Sequence, residues 1–68
     1  MRWEFVDLPF LPLRTGYCWR LHGDNDEVCG WIRPRWGTFA AFSARNAERP
    51  IYEGLFEQAV FLLEDMLD

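Results

Sequence analysis

Lysine is absent from this chain of 68 residues, and all seven of its side-chain bases are arginine. There is one histidine (His22), one serine (Ser43), two cysteines (Cys18 and Cys29) and no glycine-rich phosphate loop. Nucleophilic and phosphoryl-transfer catalysis therefore lack their usual parts. Cys18 and His22 are four residues apart, about 13 Å along a strand, too far for direct activation of the thiol. Paired carboxylates occur only on the expected outer face of a C-terminal helix, where water keeps their acidity ordinary. The expectation is a non-enzyme with no cofactor.

Metal binding fares no better. Cys18, His22 and Cys29 could share one face of a hairpin, but zinc needs a fourth ligand and usually C-x-x-C pairs. No metal site is expected. A cross-strand disulfide would require Cys18 and Cys29 to pair directly, and two cysteines without a secretion signal read as reduced, packed thiols. Arg2, Glu4 and Asp7 interrupt the only N-terminal apolar stretch, and no run approaches the ~20 apolar residues of a membrane span. The expected address is the cytoplasm, with no membrane partner.

What the chain has in plenty is apolar and aromatic surface. Half of it is hydrophobic and 18% is aromatic, with four Trp and six Phe. Large rings bury much area per residue, which suits a single domain over residues 1–68 near the lower size limit for a self-sufficient core. So many rings in so small a volume also imply that some stay outside, where apolar patches mark interfaces.

Charge is asymmetric. Residues 1–52 balance seven Arg against six acids, whereas residues 53–68 hold five acids and no base, within a net charge of −4. Arginine without lysine suits directed or stacked contacts, and the acidic C-terminal segment speaks about partners rather than fold.

The pattern predicts an α+β domain, a three-stranded antiparallel meander against one C-terminal amphipathic helix. Tyr17–Leu21 and Val28–Ile32 read as strands around the turn cluster Gly23-Asp24-Asn25-Asp26, and Thr38–Ser43 follows Pro34-Arg35-Trp36-Gly37. Trp3–Val6 is a candidate fourth strand, and Pro9 and Pro12 argue against regular structure beyond it. With an even number of residues in the first hairpin loop, strand parity puts Tyr17, Trp19, Leu21, Val28, Gly30 and Ile32 on one apolar face, with Gly30 leaving room for Trp19 or for a close helix approach. Cys18, Arg20, His22, Cys29, Trp31 and Arg33 fall on the other, with Arg35 and Trp36 nearby.

From about residue 53 to 67 the period changes to 3.6. Tyr52, Leu55, Phe56, Ala59, Leu62, Leu63 and Met66 form the expected core stripe. Glu53, Glu57, Glu64 and Asp68 gather on the far side with Phe61 among them. Carboxylates at 64, 65 and 68 oppose the helix dipole, and a local conflict of this kind points to function.

Three functional readings follow. The first is a protein-binding module, in its concrete form a phage- or mobile-element-type inhibitor or adaptor. Glu53, Glu57, Phe61, Glu64 and Asp68 would enter a basic, nucleic-acid-binding groove of a larger protein. The second is a nucleic-acid-binding module using the sheet face of Arg20, Trp31, Arg33, Arg35 and Trp36, which the overall acidity disfavours. The third is a homo-oligomer, an obligate homodimer whose sheet faces or edges pair.

Overall fold

The computed structural model describes residues 1–11 and 14–67, with side-chain surroundings described outside residues 8–16. The strands are β1 (Arg2–Leu11), β2 (Arg14–His22), β3 (Val28–Arg35), β4 (Thr38–Ser43) and β5 (Tyr52–Gly54), followed by the helix α1 (Phe56–Asp65). They form one antiparallel sheet in the order β1-β2-β3-β4-β5. The meander thus has five strands rather than three. The N-terminal strand runs through Pro9 to Leu11. Pro9 falls within the stretch between Leu8 and Leu11 where pairing with β2 is irregular, on an edge strand, the place in a sheet where proline is tolerated. Pro12 and Leu13 lie outside the described residues.

Strand β5 occupies the segment expected to begin the helix. Tyr52 and Glu53 pair with Ala41 and Ala40, so Glu53 stands on the sheet and not on a helix face. The helix begins three residues later than about 53, at Phe56. Its flanking residue Leu55 offers no side-chain cap, and the Tyr52 hydroxyl instead accepts a hydrogen bond from the Leu55 N–H at 3.1 Å. A start at Phe56 and an end at Asp65 take Leu55 and Met66 out of the core stripe. Both are exposed, while Ala59 and Leu63 are buried and Leu62 is half-buried.

The first hairpin turns through five residues, which by itself would invert the faces of β3. A bulge corrects it: Leu21 pairs with Gly30 but His22 pairs with Val28, leaving Cys29 as the extra residue. Parity beyond the bulge is as read from the sequence, so Trp19 faces Ile32 and Leu21 faces Gly30. Val28, on the turn side of the bulge, is exposed. Asp26, in the turn, takes φ 65°, which aspartate tolerates better than most residues.

The core lies between that face and α1, and comprises Leu21, Ile32, Ala41, Ala59 and Leu63. Gly30 permits the approach: a Cβ there would sit 2.6 Å from the Phe42 carbonyl oxygen and 2.9 Å from Leu63 Cδ2. The helix packs on β4, β3 and β5. Beyond the shared core it meets β2 where the Phe56 ring lies 4.8 Å from that of Trp19, and β1 where Glu64 accepts a 2.8 Å bond from the Trp3 indole. At its other side β1 is tied to the hairpin turn. The buried His22 ring places Nε2 2.8 Å from Glu4 Oε1 and Nδ1 3.2 Å from the Asp26 carbonyl oxygen, and Arg2 donates to Asp26 at 2.7 Å.

Candidate functional site

The sheet face opposite α1 collects the arginines and much of the remaining aromatic surface. Register builds it in rows. Arg20 stands opposite Trp31, and Trp31 opposite Phe42. The Trp31 and Phe42 rings stack, with centroids 5.9 Å apart and planes 17° from parallel. The next row is Arg33, Ala40 and Glu53, and the last is Arg35 opposite Thr38. An open groove of about 620 Å³ is lined here by Arg33, Pro34, Arg35, Trp36 and Phe42, together with Ala47 and Glu48 of the 44–50 connection.

Trp36 stands at the tip of the β3–β4 hairpin and is 97% exposed. Arg35 pairs with Thr38, leaving Trp36 and Gly37 as a two-residue turn with φ 47° and 80°. Positive φ at both central positions defines the type I′ turn, which favours Asn-Gly or Gly-Gly. An indole there costs conformational energy and recovers almost no burial.

The two guanidinium groups at the groove differ. Arg35 donates to Glu53 at 3.3 Å, both half-exposed, an ion pair of little energetic weight. Arg33 is exposed and has no ion pair among the described residues. A charge left unpaired beside an exposed indole can take a carboxylate in bidentate geometry while the ring packs on an apolar or planar group.

The acidic helix surface expected from the sequence is only partly assembled. Glu57 and Phe61 are exposed on α1, Phe61 at 63%. Glu53 is on β5 and held by Arg35. Glu64 is half-buried and accepts the Trp3 indole bond, a charge-assisted contact that offsets its adverse place in the last helical turn. Asp68 lies outside the described residues.

The two thiols are free. Cys18 is buried next to Val6 and Cys29 occupies the bulge, so they are not cross-strand partners. Partial burial and the Glu27 carboxylate push the Cys29 thiol pKa up, its Sγ lying 3.7 Å from both a carboxylate and a carbonyl oxygen of Glu27. Three carboxylates are held below their ordinary range: Glu4 by the His22 hydrogen bond, Asp24 by the N-terminal ammonium, and Asp26 by Arg2. Among the described residues, no group of three His, Cys, Asp or Glu side chains is placed to hold a metal, and no helix is long and apolar enough to cross a membrane. Comparison with protein-family models, curated proteins and solved structures gave no match.

Sequence reasoning had grouped Arg20, Trp31, Arg33, Arg35 and Trp36. It missed Phe42, which the pairing Trp31–Phe42 would have supplied, and the groove wall at Ala47 and Glu48, for which the sequence carries no signal.

Proposed function

We propose that this chain is a non-catalytic protein-binding module whose anchor is Trp36, at the hairpin tip of the groove that Arg33 and Arg35 also line. The observation that carries this reading is the almost complete exposure of Trp36 at a backbone position that disfavours it. Trp and Arg are the side chains that most often dominate protein interfaces, and here they stand together around a concavity. The partner is a segment with carboxylates for Arg33 and an apolar side chain for the indole and the groove floor at Phe42.

The test is selection from a displayed peptide library against the immobilised protein. Acidic sequences containing a large apolar residue should be enriched, and Trp36→Asn and Arg33→Glu should each weaken their binding at least tenfold. Undiminished binding by both variants would overturn the assignment. Steeply salt-dependent binding of single-stranded nucleic acid, with no peptide enriched, would move the same face to the nucleic-acid reading.

A second reading keeps the helix surface. Exposure of Phe61 beside Glu57 supports it, and its partner is the basic groove of a nucleic-acid-binding protein, the inhibitor-type module of phages and mobile elements. With Glu53 and Glu64 otherwise engaged, its electrostatic part rests mainly on Glu57. Phe61→Ala should then weaken binding of such a partner by about 2 kcal/mol while leaving thermal stability nearly unchanged.

A further inference from the structure

Among the described residues, α1 covers only part of the width of its sheet face. Above β1 and β2 the floor is Phe5, Tyr17 and Trp19, whose rings meet at 5.4–5.6 Å, Tyr17 and Phe5 each also edging toward Trp19. Phe5 is 58% and Tyr17 42% exposed. One helix flank walls this ledge. Phe56 touches Trp19 and Glu64 bonds Trp3, and at 100° per residue Val60 falls between them. Phe61 lies further round the same flank.

The backbone makes the ledge an overhang. Pairing of β2 with β3 ends at Trp19–Ile32, whereas β1 and β2 continue to pair through Val6–Cys18 and Asp7–Tyr17 and beyond. A two-stranded ribbon with an apolar face is marginal in water unless something packs on it. The body offers little reserve, since Leu21 and Ile32 are its largest fully buried side chains. Assembly is one of the ways in which chains of this length with so small a core gain further stability.

We infer that the ledge of Phe5, Tyr17 and Trp19 is the interface with a second copy of this chain, packed face to face about a twofold axis. The area fits. Large rings carry about 150–250 Å² each, so the exposed parts of Phe5, Tyr17 and Phe61 with the half-buried Trp19 and Phe56 supply roughly 400 Å² of apolar surface per copy. Two copies give roughly 800 Å², the apolar share of a standard interface of about 1,200–2,000 Å². The chemistry fits as well. By register Asp7 is the sole charged residue of the described part of β1–β2 on this face. On the helix flank Glu64 is engaged by the Trp3 indole while the exposed Glu57 lies at the margin beside Phe61, so the floor suits a self-complementary apolar partner. The inference stands on the face opposite the Trp36 groove and is independent of the function proposed for it.

Sedimentation velocity of the full chain between about 1 and 200 µM tests it, together with thermal melts over the same range. A dimer should form, with a melting temperature that rises with concentration. Phe5→Glu and Tyr17→Glu should each raise the dissociation constant at least 100-fold, and Arg33→Glu on the opposite face should leave it within twofold. Where a glutamate variant does not fold, the concentration dependence of the wild-type melt still decides. A wild-type monomer at all concentrations with a constant melting temperature would overturn the inference, and so would folded Phe5→Glu and Tyr17→Glu proteins that remain dimeric.

Discussion

Replacing Trp36 by asparagine should make the fold more stable while removing its proposed binding anchor. In the left-handed region an ordinary L-residue costs about 1–2 kcal/mol. Asparagine tolerates that region, and Asn-Gly is the preferred pair for a type I′ hairpin turn. Trp36 occupies it at φ 47° ahead of Gly37. The indole is 97% exposed and forfeits almost no burial on removal. The net gain should be about 0.5–1.5 kcal/mol. At about 4–8 °C per kcal/mol for a domain of this size, the melting temperature should rise by roughly 2–12 °C. Circular dichroism melts of both proteins at one matched concentration would measure it, because an assembling protein melts at a temperature that depends on concentration. A fall of several degrees would refute the reasoning, since it would mean that the indole packs on the body and that its exposure carries no functional message. Stability and peptide binding measured on the same variant separate a sacrificed turn from a structural one.

Further expectations follow from the core and the titratable groups. Leu63→Ala should cost about 2–5 kcal/mol in urea unfolding, because Leu63 is buried against Gly30, while Met66→Ala should cost far less because Met66 is exposed. Glu4 and Asp26 have folded-state pKa values below their ordinary ones, by the His22 hydrogen bond and Arg2 respectively. Their contribution is therefore complete above the ordinary carboxylate range of about 4 and is lost as pH falls through the lowered values. Glu4→Gln should flatten that acid limb of a stability–pH curve, and an unchanged limb would exclude the Glu4–His22 contact as its source. With its thiol pKa raised by partial burial and Glu27, Cys29 should react with iodoacetamide at pH 8 more slowly than a free thiol, and Glu27→Gln should speed it. Equal rates would contradict that environment.

Much of the sheet was legible in the sequence because its signals are local. Alternation over 17–21 and 28–32 and the punctuation at 23–26 and 34–37 name the central strands and their faces. The face assignment survived a five-residue turn only because the bulge at Cys29 supplied the compensating residue, and nothing in the sequence around Cys29 announces it. The edges were less legible. Pro9 reads as a strand breaker, yet it lies on an edge strand where pairing is irregular, a place that tolerates proline. Tyr52-Glu53-Gly54 carries the helix phase without the helix, because its backbone is paired with β4. With those residues in a strand, Leu55 became the residue before the helix, and its place in the apolar stripe lost its meaning.

The two candidate surfaces fared differently for a related reason. An acidic helix face is inferred from angle alone, and angle says nothing about what reaches across from other elements. Glu64 met the Trp3 indole over sixty-one positions of sequence and Glu53 met Arg35 across the sheet, so two carboxylates counted as solvated have partners. The arginine and tryptophan face rests on strand parity, and parity is enforced by every ladder bond, so Arg20, Trp31, Arg33 and Arg35 stay together once the register is set. Trp36 carries the stronger message because neither argument needs it. A hairpin tip has an inexpensive solution in Asn-Gly or Gly-Gly, the fold gains almost nothing from an indole exposed at that point, and the proposed binding role supplies the reason that the turn itself does not.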